Sequence, residues 1–141
     1  MKITNFISTI ALLSLAVPAG AETTMRVMGQ PAATGLIQNN VEGPFFADFA
    51  ASTGLDITAE FQPADVMGIK DTEQLRVLKS GLFDIISLRL SQVSRDEPTI
   101  LGLDLVGLNP DYASGRETVA AFQSVVDARI QEQFNTKLLG V

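Results

Sequence analysis

Segments with the alternating pattern of β-strands and segments with the spacing of amphipathic helices follow one another along most of this chain. An apolar residue at every second position predicts strands at residues 24–30 and 55–61. The short apolar run at residues 83–87 predicts a third strand, central in its sheet, since buried parallel strands are apolar on both faces. Helical segments lie between them, and this order is typical of an α/β protein with a mostly parallel sheet flanked by helices.

The first predicted helix spans residues 36–52 and places apolar side chains on one face at spacings of about four residues. Pro44 follows Gly43 inside this segment, so the helix should kink or break there, because proline lacks the amide hydrogen and its ring clashes with the preceding turn. Gly54 is the expected left-handed residue at the helix end. The predicted inner face consists of Leu36, Ile37, Val41, Phe45, Phe49 and Ala50.

A second helix is predicted to begin at Asp71, which has Gln74 three residues later in the arrangement of a capping box. Gly81 is expected to close this helix. Residues 88–109 contain proline and glycine and are predicted to form a connecting loop with a short helical turn. The predicted inner face of the second helix carries Leu75, Leu78, Lys79 and Leu82.

The longest predicted helix begins with Asn109 as its N-cap and Pro110 as its first residue, and it runs to about Phe134. Asn135 can adopt the left-handed conformation that ends such a helix. Residues 137–141 then predict the start of another apolar strand. Because ordinary chain termini lie at the surface, this apolar ending favours a chain that is cut off inside a larger protein.

The N-terminal residues have the features of a secretory signal peptide. Lys2 provides a positive charge, residues 6–17 form an apolar run of about a dozen residues, and residues 18–21 are a cleavage site of small residues. A membrane-spanning helix needs roughly twenty apolar residues, so a cleaved signal is favoured over an anchor. We therefore predict a cleaved signal peptide at residues 1–21 and an exported mature chain that starts at Glu22.

Composition excludes several kinds of chemistry. Without Lys2, nine basic residues stand against sixteen acidic ones, a net charge of −7, which argues against binding to nucleic acid or to anionic membranes. The chain has no cysteine and no histidine, so it lacks thiol nucleophiles, serine–histidine triads and the usual ligands of zinc. No nucleotide-binding or hydrolase motif is present, and we predict a protein that is not an enzyme and has no cofactor and no metal site.

Ligands of open α/β sheets bind beyond the carboxyl ends of the strands. The loop after the first strand begins near Gln30, whose amide can donate and accept, and the segment after the third strand holds Ser87 and Arg89. The guanidinium fork of arginine matches a carboxylate, and hydroxyl groups complete such a pocket. We predict that Gln30, Ser87 and Arg89 bind substrate. The alternatives are a solvated strand-end residue for Gln30 and a structural ion pair for Arg89.

Other charged positions are open to two interpretations. Arg95 can contact the ligand or pair with Asp96 or Glu97 on the surface. Asp96 and Glu97 are adjacent and lack the spacing of a metal-binding loop, which disfavours an acid–base or cation-binding role. Asp104 can cap a turn or a helix, and we favour this role over one in the site.

The order of several segments resembles the solute-binding proteins of TRAP transporters, the DctP type. The matching segments are an opening strand and helix after a signal, RVLKSGLFDI with Asp84, then S-x-x-x-D-x-P leading to LGLDLVGLNPDY, a long helix, and FNTKLLGV. The resemblance covers most of the mature chain and depends on order and spacing. It implies a periplasmic receptor whose two α/β lobes close on an organic acid and deliver it to a membrane permease.

This resemblance implies that residues 22–141 are a partial periplasmic-binding-protein-like lobe, without the hinge, the second lobe and the signature arginine. The expected function is the solute-binding component of a TRAP-type secondary transporter, a monomer that binds a small organic anion and interacts with the permease subunits. Two other classes remain open at this point: a small exported hydrolase-like enzyme, and a module that binds a protein partner through a sheet edge. The lack of histidine and cysteine argues against the enzyme.

Overall fold

The computed structural model describes residues 23–103 and 107–141. The predicted signal peptide at residues 1–21 and the predicted cap residue Asp104 lie outside these described residues. Three parallel strands form one sheet in the order β2-β1-β3, with β1 at Thr23–Gly29, β2 at Ile57–Pro63 and β3 at Ile85–Ile86. This parallel sheet with helices around it confirms the predicted α/β class.

Five α-helices connect and cover the strands in the described part of the chain. α1 (Leu36–Ala47) and α2 (Phe49–Thr53) follow β1, α3 (Gln74–Lys79) follows β2, and α4 (Leu90–Val93) and α5 (Tyr112–Phe134) follow β3. Short 3₁₀ turns lie between them at Ala64–Met67, Asp71–Glu73 and Pro98–Leu103. None of the described helices is both long and apolar enough to span a membrane.

The order of the strands decides where the helices pack. The chain moves from β1 to β2 through α1 and α2, and then returns past β1 to β3 through α3. Right-handed crossovers, which parallel strands adopt almost without exception, put α1 and α3 on opposite faces of the sheet. The main apolar core lies where α3 contacts α5, and it comprises Leu75, Val93, Ile100, Leu103, Val126, Ile130 and Phe134.

The position predicted for the third strand is wrong. In the described sheet β3 is an edge strand, and its ladder contains only Ile85 and Ile86, opposite Val27 and Met28 of the central strand. A short apolar run is compatible with either position, because helices that pack on both faces of a parallel sheet bury the side chains of an edge strand as well as those of a central one.

The last segment of the chain also differs from its prediction. Residues 137–141 form no strand. The Leu138 amide instead donates to Asp127 Oδ1 of α5 at 2.8 Å, and the Leu138 side chain packs against the core. The Leu138 side chain therefore buries apolar surface, and a hydrogen bond to α5 holds the backbone of this segment without strand pairing.

The second strand lies two residues further along the chain than the alternating pattern predicts. Gly54 has a φ of 69° and ends α2 in the left-handed conformation, as expected. The following Leu55 is 51% exposed and lies outside the ladder, which begins with Ile57 opposite Thr23. Pairing with β1 sets the boundaries of β2. The apolar pattern of a single strand gives no information about the strand that it pairs with.

The start of the longest helix is likewise two residues later than predicted. Asp111 is the N-cap, and its Oδ1 accepts a hydrogen bond from the Ser114 amide at 2.8 Å. Asn109, the predicted cap, accepts a hydrogen bond from Thr118 Oγ1 at 2.7 Å. Asn135 ends the helix with a φ of 53°, which confirms the predicted left-handed cap.

The cap of the second helix is shifted by one residue. The Lys70 amide donates to Glu73 Oε2 at 3.2 Å, and the Glu73 amide donates back to the Lys70 carbonyl oxygen at 2.9 Å. Asp71 and Gln74, the predicted pair, begin the 3₁₀ turn and α3, and Gln74 is fully buried. Leu82, predicted on the inner face, is 53% exposed because the left-handed residue before it turns the chain away from α3.

Helix α1 turns most of its apolar stripe away from the sheet, contrary to the prediction. Two other side chains of α1 contact the sheet: Asn39 Nδ2 donates to the Gln30 carbonyl oxygen at 2.8 Å, and the Phe46 ring stacks on Phe61 of β2 with centroids 5.9 Å apart. These contacts select the inner face. The predicted inner residues are exposed to 62% at Leu36, 77% at Ile37, 67% at Val41 and 52% at Phe45.

The predicted break at Pro44 is not observed at that residue. Helix α1 continues through Pro44 and is interrupted at Asp48, whose amide donates to the Pro44 carbonyl oxygen at 3.1 Å. The carbonyl that the missing proline amide leaves without a donor belongs to Asn40, an exposed residue, so water can satisfy it.

The Asp127 carboxylate makes the stability of the fold depend on pH. It accepts hydrogen bonds from the Leu138 amide and from Gln131 Nε2, each at 2.8 Å, and the Leu138 bond is the larger cause that holds the pKa of Asp127 below its ordinary value. A lowered folded-state pKa adds stability that is present above the ordinary pKa and is lost as the pH falls through the folded-state pKa. We expect the midpoint of urea unfolding to fall from about pH 4 downward, less steeply in Asp127→Asn.

The matched control for this prediction is Asp56→Asn, which removes an exposed carboxylate just before β2. Urea unfolding is followed by circular dichroism from neutral pH to about pH 2, since the loss falls below the ordinary carboxyl pKa. The same acid dependence in both variants would show that the bonds of Asp127 do not stabilise the folded chain.

Candidate functional site

The loops that follow β1 and β2 lie together at the carboxyl edge of the sheet. After β1 the chain makes a tight turn, in which the amides of Thr34 and Gly35 donate to the Pro31 carbonyl oxygen at 3.1 and 2.7 Å. The Ala32 amide donates to Asp65 Oδ1 at 2.9 Å, which joins this turn to the 3₁₀ turn after β2. Hydrogen bonds therefore order the edge at which open parallel sheets bind ligands.

Gln30 lies beneath this turn and is 8% exposed. A Cβ atom on Gly35 would overlap the Gln30 Cβ atom and lie 3.1 Å from Gln30 Oε1, so the turn packs directly on this side chain. The solvated strand-end alternative for Gln30 is therefore wrong. Its role in substrate binding stays a prediction, and in the structure it supports the turn from below.

Ser87 joins the end of β3 to helix α1. Its amide donates to the Met28 carbonyl oxygen at 2.8 Å, and its Oγ donates to Glu42 Oε1 at 2.7 Å. The second oxygen of that carboxylate, Glu42 Oε2, is buried and has no hydrogen-bond partner among the described residues. The site therefore contains an acidic group that sequence analysis assigned no role.

Arg89 binds the turn that precedes α1. Its Nη2 donates to the Thr34 carbonyl oxygen at 3.0 Å. The backbone of Arg89 is extended, with φ −91° and ψ 119°, and Ser87, two residues earlier, contacts α1 at Glu42, so both side chains are directed toward α1 or the turn before it. Within residues 23–103 and 107–141 Arg89 forms no ion pair, so its structural ion-pair alternative is not observed.

The residues after α4 do not pair as the sequence suggested. Arg95 is exposed and contacts neither acidic neighbour. Asp96 Oδ1 instead accepts from Arg76 Nη2 at 2.6 Å. Glu97 is 1% exposed, and its Oε2 lies 3.9 Å from Arg129 Nε. The surface-pair alternative for Arg95 is therefore wrong, and both carboxylates serve contacts between elements of the fold.

A cavity of about 610 Å³ lies beside the free edge of β3. Its walls come from the ends of the sheet, from α1, α3 and α5, and from the segment after α5, and most of the lining side chains are apolar. Ser87 and Glu42 line it, while Gln30 and Arg89 lie outside it. Its volume is in the range of small-molecule sites. Apolar lining residues include Val27, Phe45, Phe46, Leu78, Ile85 and Val126.

An ion pair fixes the side of this cavity nearest the start of β3. Asp84 Oδ1 lies 3.1 Å from Arg26 Nη2 of β1, and Asp84 Oδ2 accepts from the Arg26 amide at 2.8 Å. The side-chain bond from Arg26, and then the amide bond, hold the pKa of Asp84 below its ordinary value. The same side-chain bond raises the pKa of Arg26. Both groups stay charged at neutral pH and hold β3 against β1.

Glu42 could have been found from the sequence by asking which helix face carries polar residues. Asn39, Glu42 and Phe46 recur at three and four positions, on the face opposite the apolar stripe of α1. The hydrophobic pattern favoured the other face, and only the contacts with Gln30 and Ser87 show that the polar face points inward.

The described chain offers no arrangement of histidine, cysteine, aspartate or glutamate that would hold a metal ion. Comparisons of the sequence and the structure with models of protein families, with curated proteins and with solved structures found no match.

Proposed function

We propose that this chain is the extracytoplasmic solute-binding component of a TRAP-type secondary transporter. In this proposal residues 1–21 direct export and are removed, and the mature chain acts in the periplasm. It binds a small organic solute that contains a carboxylate, leaves the solute chemically unchanged and delivers it to the membrane permease. The α/β class of the fold and the order of segments along the sequence support the proposal.

The observation that carries the proposal is the position of Arg89. One hydrogen bond to the Thr34 carbonyl oxygen orients its guanidinium group at the carboxyl edge of the sheet. A guanidinium group has five N–H donors, and in the described chain the others have no acceptor. These donors can take both oxygens of a solute carboxylate in one plane, which is the strongest geometry for such a contact.

The positive charge of Arg89 matters for binding a carboxylate, because the net negative charge of the chain repels anions. The mature net charge of −7 gives no long-range attraction for a carboxylate, so recognition depends on contact with Arg89. In a two-lobed receptor the second lobe closes over the solute.

Arg89→Lys is expected to weaken binding of the best organic acid by about 10- to 100-fold, because lysine keeps the charge and loses the planar fork. A thermal-shift panel of organic acids first identifies that acid, since a ligand at 100 times its Kd adds about 2.7 kcal/mol of stability. Isothermal titration calorimetry then compares binding of this acid to the unchanged protein, to Arg89→Lys and to a control variant. The matched control is Arg116→Lys, an exposed arginine of α5 without an ion pair in the described residues.

The result that contradicts the proposal is an acid that binds Arg89→Lys and Arg116→Lys equally well. A panel in which no acid raises the melting temperature also contradicts it, and so does hydrolysis of simple esters that a single serine replacement abolishes.

A further inference from the structure

The Glu42 side chain is incompletely satisfied in the structure. Its Oε1 accepts one hydrogen bond from Ser87 at 2.7 Å, while Oε2 is shielded from solvent and has no hydrogen-bond partner among the described residues. No lysine or arginine in those residues forms an ion pair with it. A shielded carboxylate oxygen without a donor is costly, because it has lost water and gained nothing in exchange.

The surroundings of Glu42 are those of a binding site. Glu42 and Ser87 are both part of the wall of the 610 Å³ cavity beside β3, and most of that wall is apolar. Charged groups interact strongly in such low-dielectric surroundings. The terminal torsion of glutamate is soft, so a small rotation turns Oε2 toward a group inside the cavity.

The chemistry of this pair selects a cation with several donors. Glu42 is an acceptor, and Ser87 Oγ uses its hydrogen on Glu42 and keeps its lone pairs as acceptors. A protonated amine can donate to both groups at once and neutralise the carboxylate. A carboxylate or another acceptor at this position would face only acceptors.

We propose that the solute carries a protonated amine in addition to its carboxylate, and that the amine binds Glu42 and Ser87 while the carboxylate binds Arg89. This inference rests on the proposed function, since it assigns the second end of the same solute. Ser87 contacts α1 at Glu42, and Arg89, two residues later, contacts the turn directly before α1 at Thr34, so both ends of the solute would lie between α1 and the segment after β3.

The test compares pairs of acids that differ only in the amine: propanoate and alanine, succinate and aspartate, butanoate and γ-aminobutyrate. We expect the full-length chain to bind the amino member of at least one pair about 10- to 100-fold more tightly, as a charge-assisted bond would give. Glu42→Gln should remove this preference. Ser87→Ala should reduce the preference in part.

Glu117→Gln, the same change at an exposed position of α5, is the matched control and should keep the preference. Circular dichroism verifies that each variant is folded. Equal binding of both members of every pair, or an amine preference that survives Glu42→Gln, overturns this inference and leaves the proposed function standing. If no acid of either kind binds, the proposed function itself is overturned, so the two failures are distinguishable.

Discussion

Ile130→Ala should lower the free energy of unfolding by about 2–5 kcal/mol, while Ile37→Ala should change it by no more than about 0.5 kcal/mol. Both changes remove the same atoms from an isoleucine inside an α-helix. Ile130 of α5 is 6% exposed in the main core, and Ile37 of α1 is 77% exposed. Ile130→Ala leaves a cavity among the core side chains, whereas Ile37→Ala mainly reduces the apolar surface that is in contact with water.

Urea unfolding of both variants, followed by circular dichroism, measures this difference directly. The pair also tests the orientation of α1, because the sequence predicts Ile37 on an inner face and the structure places it outside. Similar losses of stability in the two variants would contradict the outward orientation of α1.

Gly35→Ala should lower the free energy of unfolding by about 1–3 kcal/mol, as overpacking of a close contact does. The new Cβ atom would overlap the Cβ atom of Gln30, which is rigidly attached to the backbone at the end of the central strand. The turn that contains Thr34 must then move outward, and Thr34 holds the Arg89 guanidinium through its carbonyl oxygen. We therefore expect weaker binding of the solute as well as lower stability.

The control for Gly35→Ala is Gly140→Ala, where a Cβ atom would meet nothing within 4 Å. Urea unfolding and calorimetry with the best-binding acid give both readouts on the same samples. If Gly35→Ala unfolds at the same urea concentration as Gly140→Ala, the turn does not pack on Gln30 as the structure shows.

Local patterns predicted the kinds of elements well. Alternation of apolar residues identified β1 and β2, and the three- and four-residue spacing identified α5 up to its left-handed cap at Asn135. The observed boundaries differ from the predicted ones by about two residues where contacts with another part of the chain set them. The start of β2, for example, is set by the pairing of Ile57 with Thr23.

The candidate site likewise contains residues that the sequence predicted and residues that it did not predict. The rule for parallel sheets identified Ser87 and Arg89 at the carboxyl edge, and both side chains contact α1 or the turn before it. The sequence pattern places Glu42 on the polar face of α1, but it does not show that this face meets the sheet, and the burial of Gln30 depends on the turn that packs on it at Gly35.

The sequence by itself determined the α/β class, the helix ends at Gly54 and Asn135, and the lack of histidine and thiol chemistry, because these depend on residue type and local spacing. Only the tertiary structure decided that β3 lies at an edge of the described sheet, that α1 turns most of its apolar stripe outward, and that Ser87 meets Glu42. These features depend on contacts between residues far apart in the chain, which the hydrophobic pattern of a single helix does not contain.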